Sequence, residues 1–131
     1  MTLSPDIPRI RISIKPMGYR RRTRQGRFSA EAMEYHRWME SVKILVRQAA
    51  GVPVQLGGVV KLAFHFATHH RRKWGEPKTT RPDVDNLAKA VIDALADGND
   101  SHVWRIEASK FWAEEDWIVI LEGLEHQRDE T

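Results

Sequence analysis

Hydrophobic and polar residues alternate over residues 9–15, with Ile10, Ile12 and Ile14 on one side and Arg9, Arg11 and Lys15 on the other. That period of two predicts a half-buried strand. Residues 16–28 carry two glycines and five arginines, a poor helix and a predicted loop. Ser29 is a good helix N-cap, with Glu31 placed in the first turn, and the helix it opens runs to about Ala50 before Gly51 and Pro53 stop it. Its apolar stripe is Tyr35, Met39, Val42, Val46 and Ala49, flanked by Trp38 and Leu45. A second strand is predicted over 58–68, with Val60, Leu62, Phe64 and Phe66 facing one way and Lys61, Ala63, His65 and Ala67 the other. Residues 69–82 are polar and basic and predict a long, partly mobile loop.

A second helix is expected over about 86–96, capped by Asp85, with Leu87, Val91, Ala94 and Leu95 as its core stripe. The turn Asp97-Gly98-Asn99-Asp100 leads to a strand of about 102–112, where Trp104, Ile106, Ala108, Lys110 and Trp112 share a face. A last strand, Trp117–Leu121, ends in an acidic tail over 122–131. The order β-α-β-α-β-β predicts an α+β fold: a mostly antiparallel or mixed four-stranded sheet with two helices packed on it. At 131 residues the expectation is a single domain, with its core over about 9–121.

Composition narrows the class. There is no cysteine, which removes disulfides and thiolate metal sites. No stretch approaches the roughly 20 apolar residues of a membrane span. The N-terminal residues lack the apolar run of a signal peptide, so a cytoplasmic protein is expected. Net charge is only +3, but it is unevenly placed. Basic residues crowd 1–30 and 61–81, whereas acids crowd 112–131. A polyanionic partner is therefore expected on the first two thirds of the chain, gripped by Lys15, Arg20, Arg21, Arg22, Arg24, Arg27, Arg71, Arg72, Lys73 and Arg81.

The most informative run is Arg81-Pro82-Asp83-Val84-Asp85-Asn86-Leu87-Ala88-Lys89. Carboxylate oxygens are hard ligands suited to Mg²⁺, which takes one or two of them and keeps waters and phosphate oxygens. Pro82 biases the residue before it away from helix, and in extended chain residues i and i+2 point the same way, so Asp83 and Asp85 are expected to meet one cation. Lys89 follows Asp85 by four residues and Asp93 follows Lys89 by four, so Asp93 is expected to hold the lysine. A helix advances about 1.5 Å per residue, so the turn must fold back for Asp100 to join the pair. Two readings of Lys110 stay open: a lysine snorkelling from a strand end, or a second cation near the carboxylates or a phosphate. His65, His69 and His70 lie on predicted strand and loop without a fourth ligand, which disfavours zinc. Trp74 and Tyr19 are candidates to stack on exposed bases, while Trp38, Trp104 and Trp112 are expected to pack in the core.

The run Pro82-Asp83-x-Asp85-Asn86-Leu87-x-Lys89-x-x-x-Asp93-Ala94-Leu95 resembles the core motif of the RusA family of Holliday-junction resolvases. Ile14-Lys15-Pro16, the arginine-rich stretch and Ser29-Ala30-Glu31-Ala32 are similar to the family's first strand, basic loop and first helix. Asp100-Ser101-His102-Val103 through Lys110 resembles its later acid and strand. The resemblance implies Asp83, Asp85 and Asp100 as catalytic ligands of Mg²⁺, for which Mn²⁺ substitutes, with Lys89 at the scissile phosphate. It places Asn86 and Asp93 behind them, and Lys110 with the DNA contacts. It also implies a homodimer that nicks opposed strands of a four-way DNA junction, with no small-molecule cofactor and no membrane partner. This chain departs from the pattern at Asn99, where the family has a second acid, and at His102, and its turn before Asp100 is short; Asp97 competes with Asp100 as the third ligand. Two rival readings are a non-catalytic junction-binding protein and a metal-dependent nuclease for other branched substrates.

Overall fold

The computed structural model describes residues 7–20, 29–96 and 100–127. In chain order these form β1 (Ile10–Ile12), α1 (Ala30–Ala50), β2 (Val54–Ala67), a single 3₁₀ turn (Arg71–Lys73), α2 (Val84–Ala96), β3 (Arg105–Ala113) and β4 (Trp117–His126). The strands make one sheet in the order β1-β4-β2-β3. β4 runs antiparallel to both β1 and β2, whereas β2 and β3 are parallel, from Val59 opposite Arg105 to Ala67 opposite Ala113. A parallel pair needs a long crossover, and α2 supplies it. The fold is the expected α+β arrangement of a mixed four-stranded sheet with two helices.

Local signals set the ends of α1. The Ser29 hydroxyl accepts the Ala32 N–H at 3.1 Å, and Gly51, at φ 75°, donates its N–H to the Arg47 carbonyl. Tyr35, Trp38, Met39, Val42 and Val46 are buried as one stripe, while Ala49 in the last turn is exposed. α2 starts at Val84, earlier than expected. The Leu87 N–H bonds the Asp83 carbonyl at 3.1 Å, so Asp83 takes the capping place and Asp85 lies in the first turn. Six of its residues, Leu87, Ala88, Ala90, Val91, Ile92 and Ala94, are buried because α2 touches α1 on one side and β2 and β3 on the other.

The alternation in β2 holds. Val60, Leu62, Phe64 and Phe66 are buried under the helices with Ile118, Ile120 and Leu124 of β4. The opposite face carries Lys61, which pairs with Glu107 (3.6 Å) and Glu122 (3.1 Å), and His65, stacked between Phe111 and Trp117. β4 runs five residues past the expected Leu121, because Leu124 is buried opposite Leu56 beyond a register shift in β2, so Glu122 and Glu125 belong to the strand.

The stretch expected as a mobile loop over 69–82 is instead tied to the outer edge of β3. Gly75 N–H bonds the Trp112 carbonyl, Trp112 N–H the Glu76 carbonyl, and Lys78 N–H the Lys110 carbonyl. Unpaired strand-edge groups were available there, and this segment satisfies them.

Candidate active site

The N-terminus of α2 is the centre of the site, and the basic N-terminal segment is fastened across it. Trp38 Nε1 donates to the Lys15 carbonyl at 2.9 Å, and Tyr19 N–H donates to the Asn86 carbonyl at 2.9 Å. The Tyr19 ring then meets the Tyr35 ring edge-on and receives the Lys89 ammonium on its face, 4.2 Å from the centroid. Asp93 does not hold Lys89 as expected; its Oδ2 accepts the Tyr35 hydroxyl at 3.2 Å. Tyr35, fully buried between the helix and the N-terminal segment, reaches that carboxylate first.

Two clefts open around this helix end. One, of about 640 Å³, is lined by Asp85, Asn86, Lys89 and Asp100 on its polar side and by Val84, Ile92, Ile106 and others on its apolar side. The second, of about 610 Å³, is lined by Gly18, Tyr19, Arg20, Arg81, Pro82, Asp83 and Asn86. Asn86 belongs to both. The structure therefore gathers Asp85, Lys89 and Asp100 into one cleft and sends Asp83 to the other, with Arg20 and Arg81. The expectation that Asp83 and Asp85 point together rested on extended backbone. Helix from Val84 onward turns the chain by about 100° per residue, which separates them.

Among the described residues, no group of three or more His, Asp or Glu side chains converges to hold an ion. Two exposed carboxylates in one cleft, Asp85 and Asp100, are nonetheless the hard oxygen donors that Mg²⁺ accepts, its remaining positions going to water and phosphate oxygens. Of the histidines, His65 is stacked into the far face of the sheet, and His69 and His70 are exposed. Asp97 and Asn99 lie outside the described residues, as do Arg21, Arg22, Arg24 and Arg27.

The remaining basic candidates divide. Lys15 is exposed, and Arg20 is exposed with Glu31 3.6 Å away. Arg71, Arg72 and Lys73 are exposed on the 3₁₀ turn, where Trp74 is partly buried and donates its indole N–H to the Thr68 carbonyl. Lys110 is turned inward: its ammonium donates to the carbonyls of Thr80 (2.6 Å) and Pro82 (2.7 Å). Trp38 and Trp112 pack against the core as expected, but Trp104 is 74% exposed beside Ile106 at the start of β3. It precedes the paired strand, donates its backbone N–H to the Gly58 carbonyl of β2 at 2.8 Å and lays its indole against Gly58.

One residue was missed at the sequence level. Lys78 is 6% exposed, the one buried charged side chain among the described residues. Its ammonium donates to the Thr80 carbonyl (3.1 Å), the Thr80 hydroxyl (2.7 Å) and the Arg81 carbonyl, between the rings of Phe66 and Trp112. Burial first, and the Lys110 charge second, lower its proton affinity from the ordinary lysine value. Within a basic run, nothing in its local sequence distinguishes it; its burial follows from the pairing of 75–78 with β3.

The sequence profile of the family described as Endodeoxyribonuclease RusA matches residues 8–121. A curated relative, the crossover junction endodeoxyribonuclease rusA of Lactococcus phage r1t, is 33% identical over 73 residues, which is 53% of this chain and 53% of that protein. The chain thus aligns with about half the length of that relative. The match of the profile spans β1 through the first half of β4 and includes both clefts around α2, and it shows that the chain belongs to the RusA family of endodeoxyribonucleases.

Proposed function

We propose that this protein is a Mg²⁺-dependent, structure-specific endonuclease that resolves four-way DNA junctions by paired nicks. The observation that carries this reading is the cleft shared by Asp85, Lys89 and Asp100, set against a second cleft lined by Arg20 and Arg81. Asp85 and Asp100 would hold the metal ion, and Asp83 a second position across Asn86. Bound there, the metal supplies an activated water and neutralises charge on the leaving oxygen. Lys89, held over Tyr19, offsets the charge that builds on the phosphorus. Arg20, Arg81 and the exposed Arg71-Arg72-Lys73 turn grip phosphates away from the cut. A homodimer fits the substrate, since a junction needs two symmetric cuts, and two copies related by a two-fold axis present two identical clefts. Mn²⁺ substitutes for Mg²⁺ in this scheme, and the protein acts in the cytoplasm of a bacterium or phage-infected host. No helix among the described residues is long and apolar enough to cross a membrane.

The test is a synthetic four-way junction labelled on each strand in turn and incubated with wild-type protein or Asp85→Asn, with Mg²⁺, Mn²⁺ or EDTA. Metal-dependent nicks at symmetric positions on opposed strands, absent in the variant, are expected. Cutting of flaps or duplex in preference to the junction would reassign the substrate. A second reading, junction binding without cutting, draws support from the separation of Asp83 from Asp85 and Asp100. It predicts tight binding and no nicks under every condition.

A further inference from the structure

The carbonyls that lead into α2 form an unbroken series of accepted hydrogen bonds. Thr80 O receives both the Lys78 ammonium (3.1 Å) and the Lys110 ammonium (2.6 Å). Arg81 O receives Lys78, Pro82 O receives Lys110 at 2.7 Å, and Asp83 O receives the Leu87 N–H that opens the helix. The two lysines themselves come from adjacent strands of backbone, joined by the Lys78 N–H to Lys110 carbonyl bond at 3.0 Å.

This arrangement is an expensive way to fill space. Lys78 sits between the Phe66 and Trp112 rings, where an apolar side chain would pack without desolvating an ammonium. Both cations also address the same carbonyl, so they repel each other. What an ammonium supplies and a methyl group cannot is direction: charge-assisted hydrogen bonds fix where each carbonyl points.

The geometry points to Lys78 and Lys110 as positioning residues that pin the carbonyls of Thr80, Arg81 and Pro82 and so set where Asp83 and the first turn of α2, with Asp85, stand relative to Asp100. Carboxylate ligands depend on such support, because their affinity for a metal falls when the groups behind them are lost. Neither lysine touches the reacting phosphate in this role. The inference rests on the reading of these carboxylates as metal ligands.

Lys78→Met and Lys110→Met keep the aliphatic stem and remove the charge; Lys78→Arg keeps the charge. Mn²⁺ binding to the full chain without DNA is followed by electron paramagnetic resonance, and the backbone amide signals of residues 83–86 by NMR. Both methionine variants should bind Mn²⁺ about tenfold more weakly or worse and shift those amides, with junction affinity in EDTA changed less than about twofold. In an Asp83→Asn background Lys110→Met should weaken Mn²⁺ binding by less than it does in the wild-type background, because the part of its effect that runs through Asp83 is already lost while the part that runs through Asp85 remains. Lys78→Arg should recover part of the affinity. Lys110 is only partly buried, so Lys110→Met carries the test alone should Lys78→Met fail to fold. Unchanged Mn²⁺ affinity in a folded Lys110→Met, or a loss of junction affinity in EDTA with Mn²⁺ binding intact, overturns the inference; so does a wild-type protein that binds no Mn²⁺. A wild type that binds Mn²⁺ but cuts no junction sinks the resolvase reading and leaves the role of the lysines standing.

Discussion

The Lys89 ammonium rests on the face of the Tyr19 ring, 4.2 Å from its centroid, and this contact ties α2 to the N-terminal basic segment. Lys89→Met should slow single-turnover junction cleavage by roughly 10²- to 10³-fold, as expected for loss of one group stabilising transition-state charge. Binding in EDTA should survive. Tyr19→Leu leaves the lysine but removes its perch, and a cation–π contact at such a site is worth about 0.5–1 kcal/mol. A cleavage rate lowered by a few fold, with binding unchanged, is expected. An unaltered rate in Tyr19→Leu would show that Lys89 finds the phosphate without help.

Phosphate contacts release counterions, so their number is read from the slope of log affinity against log salt. Replacing Arg71, Arg72 and Lys73 together by alanine should reduce that slope by about 2 to 3 for a duplex arm. The three side chains are exposed on one 3₁₀ turn, so the fold should be untouched. A slope equal to wild type would remove this turn from the DNA interface.

On the sheet face away from the helices, the His65 ring is stacked 4.5 Å from Trp117 and 5.6 Å from Phe111, with the Arg11 guanidinium 3.8 Å above Trp117. Burial first, and the Arg11 charge second, lower its pKa from the ordinary 6.5. As pH falls through that ordinary value, the unfolded chain takes up the proton before the native state does. Stability from this group is therefore lost between the ordinary value and the lower native one, and no further below it. Thermal unfolding at about pH 8 and about pH 5 should show a smaller difference for His65→Phe than for wild type. Equal differences would mean that other groups set the acid sensitivity.

Gly123 has φ 124°, and a Cβ built on it would lie 2.9 Å from the Val59 carbonyl oxygen and 3.1 Å from Val60 Cα. Backbone atoms of the neighbouring strand cannot give way as a side-chain tip can. Gly123→Ala should lose about 2 kcal/mol or more, from backbone strain together with the displaced strand. That corresponds to a drop in Tm of roughly 5 °C or more, measured by calorimetry. Gly51→Ala meets nothing within 4 Å and should be less harmful, limited to the strain of its own φ of 75°.

The features that sequence alone determined are those whose physics acts over a few residues. Ser29 bonds Ala32, Gly51 bonds Arg47, and the alternation from Val60 to Phe66 needs only the pleat of a strand. The motif Asp83-x-Asp85-Asn86-x-x-Lys89 was legible for the same reason: its residue types and spacing name a chemistry before any fold is known. The tertiary structure decided what depends on partners far along the chain. The parallel pairing of β2 with β3 joins residues such as Phe64 and Lys110, and the pairing of 75–78 with that edge is what buries Lys78. The start of α2 at Val84 was a matter of one or two residues, yet it rotated Asp83 away from Asp85 into a different cleft. Propensity near a helix end is nearly balanced, so the choice fell to long-range bonds: the lysine-held carbonyls that precede Asp83 and the Tyr19 N–H that bonds Asn86.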